Sequence, residues 1–341
     1  MIYFDSDYMA GAHPEVMQRL IETNLEHTVG YGCDQYTERA IQLIREACGT
    51  PNAQVSLLVG GTQTNATVID GILARHEGVV AAESAHINVH EAGAIEATGH
   101  KVLTLPQHEG KVWAEEVEHY INEFYRDETF LHMVAPGMLY ISFPTEYGTV
   151  YTLNELEALS QVCHEAQIPL YIDGARLGYG LAADGGDVTL KDIARLADVF
   201  YIGGTKMGAL MGEAVVVTNP SLLKNMTPLT KQHGALLAKG RLLGLQFETL
   251  FSNDLYMQIG RDAVELALEL KDAFVERGYE TVVDSPTNQQ FFRLPNDLID
   301  HLRRYASFEL WGPQGETHSI VRFVTSWSTT GNDIDQLVEL I

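Results

Sequence analysis

From about residue 15 to 245, stretches with the apolar spacing of a helix alternate with short apolar runs, and this alternation restricts the chain to few folds. Pro14 and Glu15 open a helical stretch through Glu26, with Val16, Leu20 and Ile21 at core spacing. A second helical stretch covers 35–48 and stops at Gly49-Thr50-Pro51. Strands are predicted at 54–59, 78–82, 101–105, 138–142, 170–172, 199–202 and 214–218. Helices are predicted between them at 64–75, 114–125, 153–166 and 190–196. A helix that crosses over between two strands returns the chain in the same direction, so the pattern implies a mostly parallel sheet covered on both faces. After about residue 245 the pattern changes to a long helix over 252–277, strands at 281–283, 290–294 and 319–324, and a final helix from Asn332. The expected organisation is an N-terminal segment (1–14), a large α/β domain (15–245) and a smaller α+β C-terminal domain (246–341). No repeat, low-complexity stretch or flexible linker separates them.

Composition removes several functional classes. The chain has 46 acidic against 22 basic residues, a net charge of −24, and such a field repels phosphate backbones and anionic membranes. No apolar run approaches the roughly 18 residues of a membrane span. Cys33, Cys48 and Cys163 are too few and too scattered for a disulfide framework or a zinc site, so no metal is expected. His86 and His90 lie four apart without the glutamate of a zinc-protease motif. Scarce cysteine and early acids in place of a signal pattern lead us to expect a cytoplasmic protein.

Two segments carry ionisable groups where open α/β sheets bind ligands, at the carboxyl ends of strands. One is Pro169-Leu-Tyr-Ile-Asp-Gly-Ala-Arg176, the other Tyr201-Ile-Gly-Gly-Thr-Lys206. Asp173 ends an uncharged run and needs a cationic partner to stay ionised, which Arg176 could supply as a structural ion pair. Lys206, among glycines and hydrophobes, would have its amine freed by partial desolvation. A lysine for a Schiff base and an acid for a pyridinium nitrogen are what pyridoxal phosphate asks of a protein. Gly60-Gly61-Thr62-Gln-Thr-Asn65 follows a strand and opens a helix, either as a plain tight turn or as an anion site. His86 follows another strand, either as a satisfied hydrogen-bonding residue or as a ring that stacks on a bound heterocycle.

In this order the motifs resemble the fold-type-I pyridoxal-phosphate enzymes, and among them the threonine aldolase and aromatic β-eliminating lyase family. The resemblance extends over nearly the whole chain. It includes Asp5-Ser-Asp7, Tyr36, Gly61-Thr62-Gln-Thr-Asn65, Ala85-His86 with Glu91-Ala-Gly93, Asp173-Gly-Ala-Arg176, Lys206 and Ile320-Val-Arg322. It implies that Lys206 carries the cofactor's Schiff base, with Thr205 before it, and that Asp173 holds the ring nitrogen. Gly61 and Thr62 would bind the phosphate and His86 would stack on the ring. Arg176 and Arg322 would grip the substrate carboxylate with Ser6 beside them. Tyr36 and a basic residue, Lys239 or Lys231, would reach a neighbouring subunit's site in a homodimer or homotetramer. The family's Thr-His-Asn-Gly segment is replaced here by Thr145-Glu146-Tyr147-Gly148. Glu146 or Tyr147 could replace that histidine.

The resemblance implies a lyase that splits a β-hydroxy-α-amino acid such as L-threonine, L-allo-threonine or phenylserine into glycine and an aldehyde. His86 is the first candidate base for the β-hydroxyl and Glu146 the second. The alternatives are β-elimination on aromatic or sulfur amino acids and a non-catalytic cofactor-binding protein. The expected partner is a small amino acid, without nucleic acid or membrane.

Overall fold

The computed structural model describes all 341 residues. In chain order the strands are β1 (Ile2–Tyr3), β2 (Gln54–Leu58), β3 (Glu77–Ala82), β4 (Val102–Leu105), β5 (Ala135–Ser142), β6 (Leu170–Asp173) and β7 (Val199–Gly203). They continue with β8 (Glu213–Val217), β9 (Glu280–Thr281), β10 (Gln289–Pro295), β11 (Ala306–Ser307), β12 (Glu309–Leu310) and β13 (His318–Val324). Seven form one sheet in the order β2-β8-β7-β6-β5-β3-β4. The neighbours from β7 across to β4 are parallel, as helical crossovers require. Only β8 runs antiparallel, between β7 and β2. The physical reason is the link 204–212, too short for a crossover helix, so the chain turns back on itself directly.

Every residue of β6, β7 and β8 is buried, which is why these strands read as unbroken apolar runs ended by an acid or a glycine. Helices cover both faces. Leu153–Ala166 is fixed by a capping box in which Thr152 and Glu155 satisfy each other's backbone N–H groups. Gln35–Cys48 is opened by Asp34, whose side chain accepts from the N–H groups of Tyr36 and Thr37, and is closed by left-handed Gly49.

The structure departs from expectation at several ends. The helix expected over 64–75 is Gly61–Ile72, starting at the extended Gly60. The first helix stops at Glu22 rather than Glu26. The helix expected over 252–277 is Leu255–Glu276, preceded by a separate helix, Arg241–Leu250. Asn253 and Asp254 at φ 54° and 61° break the run between them. The expected domain limit at 245 therefore falls inside a helix. The transition between the two hydrophobic cores lies along Leu255–Glu276, whose Ile259 and Ala263 pack in the large core and Leu270 and Phe274 in the small one. Residues 1–14 are not a separate segment either. Ile2 and Phe4 enter the small core, and β1 pairs with β11. The remaining C-terminal strands make an antiparallel sheet in the order β12-β13-β10-β9.

Candidate active site

The carboxyl ends of β3, β5, β6 and β7 open into one cavity of about 280 Å³ that Asp173, Lys206, His86 and Glu146 all line. Two glycines bring the acid and the lysine together. A Cβ on Gly174 would lie 1.9 Å from the carbonyl oxygen of Tyr201, and one on Gly203 would lie 2.2 Å from that of Ala175. The backbones touch there, and the Gly203 N–H donates to the Gly174 carbonyl at 2.9 Å. No side chain larger than hydrogen fits in either place.

Asp173 is held by three donors. Its carboxylate accepts from the Tyr140 hydroxyl at 2.6 Å, the Asn65 amide at 3.0 Å and the Ala175 N–H at 2.9 Å. Arg176 does not pair with it. The guanidinium turns instead to Asp7, through Nε at 2.7 Å and Nη2 at 3.1 Å. Burial raises the Asp7 carboxyl, but Arg176, Lys206 and the Asn288 amide together carry it below the usual range. Asp7 is the partner that sequence reasoning missed, because it lies 169 positions from Arg176. Burial and the neighbouring Arg176 lower the Lys206 amine to about 8.

The helix Gly61–Ile72 points its N-terminus at the cavity, and no side chain caps it. Its first N–H groups and its dipole favour an anion. Thr62 is exposed and lines the cavity. The hydroxyl of Thr205 is committed elsewhere: it donates to Glu213 at 2.8 Å and accepts from the Gly212 N–H at 3.1 Å.

On the opposite wall, His86 Nδ1 lies 2.8 Å from Glu91. A carboxylate can only accept, so Nδ1 carries the hydrogen and Nε2 is left free as a base. Glu91 is buried, also accepts from Asn65 at 2.8 Å, and keeps Oε2 without a partner. Glu146 accepts from the His86 N–H at 2.9 Å and from the Ser142 hydroxyl at 2.7 Å. Burial raises its carboxyl despite those bonds. Its loop is pinned at Gly148 (φ 74°), whose carbonyl accepts from Ser285 at 3.1 Å and Thr287 at 3.0 Å.

Other expected residues lie outside the cavity lining. Arg322 is buried over the Trp311 ring, donates to Gln289 at 3.0 Å and pairs with Glu309, its register partner on β12. Its Nε has no partner. Ser6 is buried beside Asp7. Tyr36 bonds to Glu26 under the Arg241 guanidinium, Lys239 lines a second cavity with Glu26 and Arg241, and Lys231 lies 5.0 Å from the Tyr31 ring.

This arrangement has known relatives. The β-eliminating lyase family model matches residues 4–293. The chain belongs to the β-eliminating lyase family. It is 40% identical to a solved Leishmania major threonine aldolase, covering 100% of this chain and 98% of that one with a TM-score of 0.96. It is 29% identical to a low-specificity L-threonine aldolase of Pseudomonas aeruginosa, over 99% of this chain and 95% of the relative. A Thermus thermophilus aspartate aminotransferase shares the fold, with a TM-score of 0.73 at 14% identity. The fold is thus fold type I, and the lyase family's cofactor is pyridoxal phosphate. The residues present fit that group: a half-buried lysine of lowered basicity, a buried acid at the neighbouring strand end and an uncapped helix N-terminus surround one cavity.

Proposed function

We propose that this protein is a pyridoxal-phosphate-dependent aldehyde-lyase that cleaves L-threonine, L-allo-threonine or related β-hydroxy-α-amino acids such as phenylserine to glycine and an aldehyde. The observation that carries the reading is the His86–Glu91 pair on the cavity wall, a base with a fixed tautomer in the same cavity as Lys206 and Asp173. When bound, the cofactor supplies an electron sink that lets a bond at the substrate's Cα break. Lys206 would hold it through its amine, Asp173 through the ring nitrogen, and Gly61 and Thr62 through the phosphate.

The chain's own residues supply the remainder. His86 Nε2 takes the proton of the β-hydroxyl, and Glu91 stabilises the imidazolium that forms. Glu146 is held beside the same histidine and either orients the hydroxyl or accepts from it. Arg176 keeps only Nη1 outside its pair with Asp7, so Arg322 carries most of the substrate carboxylate. An incoming carboxylate takes the place of Glu309 on its guanidinium. Ser6, next to Asp7, shapes that end of the site.

Lys239, Lys231 and Tyr36 would serve a neighbouring subunit in a homodimer or homotetramer. Supporting this, Leu25 and Val29 are 89% and 66% exposed, and Val29 lines the same cavity as Lys239. Three free thiols suit a reducing compartment such as the cytosol.

One assay tests the activity. The purified holoenzyme is given L-threonine, L-allo-threonine and phenylserine, and the products are identified. Glycine with the matching aldehyde is the expected result. Pyruvate and ammonia from an aromatic or sulfur amino acid, without aldehyde release, would establish the β-elimination reading instead.

A further inference from the structure

Glu213 is a buried acid, 4% exposed, at the first position of β8, in register with Gly203 of β7. Its two oxygens accept from the Gly204 N–H at 3.0 Å and the Thr205 hydroxyl at 2.8 Å, on the two residues that precede Lys206. It lines the cavity together with that lysine. No cationic side chain pairs with it, and a buried carboxyl without one holds a proton or depends on a cation nearby.

The charged and titratable groups around the two residues narrow the choice of partner. Asp7, Tyr8, Asp173 and Arg176 surround the lysine, while Asp173, Tyr171, Tyr201 and Tyr256 surround the carboxyl. Burial raises all three of those tyrosines, so they stay neutral. Asp7 is taken by Arg176, and Asp173 by Tyr140, Asn65 and Ala175. That leaves the amine of Lys206 and the carboxyl of Glu213. Burial pushes the amine down and the carboxyl up, each towards the other.

We infer that Glu213 is the proton partner of Lys206, holding the proton that the lysine amine must shed and return. The two groups stand beyond ion-pair distance, so a proton leaving Nζ passes to a Glu213 oxygen through water in the cavity that both line. One proton shared by the two groups leaves the pair with no net charge, the arrangement a desolvated pocket tolerates best. This role rests on the reading of Lys206 as the cofactor-holding lysine.

The test is the pH dependence of Lys206 itself. Cofactor-free protein is carbamylated with cyanate across pH 6–10 and the modified peptide is quantified by mass spectrometry. In parallel, the pH midpoint of the holoenzyme's visible absorbance is recorded. Glu213→Gln keeps the shape and an acceptor oxygen but removes the charge, so both midpoints should fall by about one pH unit. Glu213→Asp, which retains the charge one methylene further back, should shift them less. Should the glutamine variant fail to fold, the aspartate variant alone decides, with a smaller downward shift expected. Midpoints equal to wild type in a folded variant would overturn the role and leave Glu213 a support for the loop. A holoenzyme without any visible band would instead overturn the reading of Lys206, and cyanate labelling would still report on the pair.

Discussion

The two walls of the cavity are built on different terms. On the wall made by β6, β7 and the 204–212 link, the reactive groups stand at the ends of adjacent, fully buried strands. Backbone meets backbone at Gly174 and Gly203, and Asp173 has three donors. The facing wall is assembled from distant pieces: Glu91 supports His86, and the Gly148 loop is tied to the small domain. A buried polar atom without a partner remains there, at Glu91 Oε2. Buried polar groups are normally satisfied, so this atom is an exception. The first wall suits the invariant part of the chemistry, and the second suits recognition of a changing substrate.

Substitutions can break this contrast. The largest expected effect is at Asp173. Asp173→Asn keeps the shape but removes the charge from the cavity, and kcat/KM should drop about 10³-fold, the scale of losing a preorganised electrostatic contact. Next comes Asp7→Asn, which leaves Arg176 buried and unpaired and should cost about 3 kcal/mol in denaturant unfolding. Because the folded Asp7 carboxyl lies below its ordinary value, its contribution is complete above about pH 4 and is lost as pH falls further. The variant should therefore show a flatter acid limb in stability against pH.

Smaller effects belong to the facing wall. Glu91→Gln frees the tautomer of His86, and kcat should fall about 10²-fold with KM little changed. Equal losses in both parameters would make Glu91 a support for binding only. Glu146→Gln should change the ratio of activity on L-threonine to that on L-allo-threonine by roughly tenfold or less, about one hydrogen bond's worth of discrimination. An unchanged ratio would mark the loop as structural.

The same contrast explains what could be read from the chain. Asp173 and Lys206 were legible because fully buried parallel strands leave continuous apolar runs, and a charge at the end of one stands out. The helices 35–48 and 153–166 were legible in full because their caps lie within the local sequence. By contrast, the Asp7–Arg176 pair, the Asn65 bridge between Glu91 and Asp173, and the β12–β13 register that sets Glu309 on Arg322 depend on contacts across the fold. No local pattern marks them. Glu91 was visible as part of a family motif, but its bond to His86 was not. The short helix Asn296–Leu302 and the two-residue strands β1, β11 and β12 also escaped, being too short to show a period.

The account stands most directly on Lys206. Borohydride reduction of the holoenzyme, followed by peptide mapping, should place a pyridoxyl group on the peptide that contains Lys206, and Lys206→Ala should abolish both the label and the visible absorbance. Label on another lysine, or full colour and activity in Lys206→Ala, would contradict it.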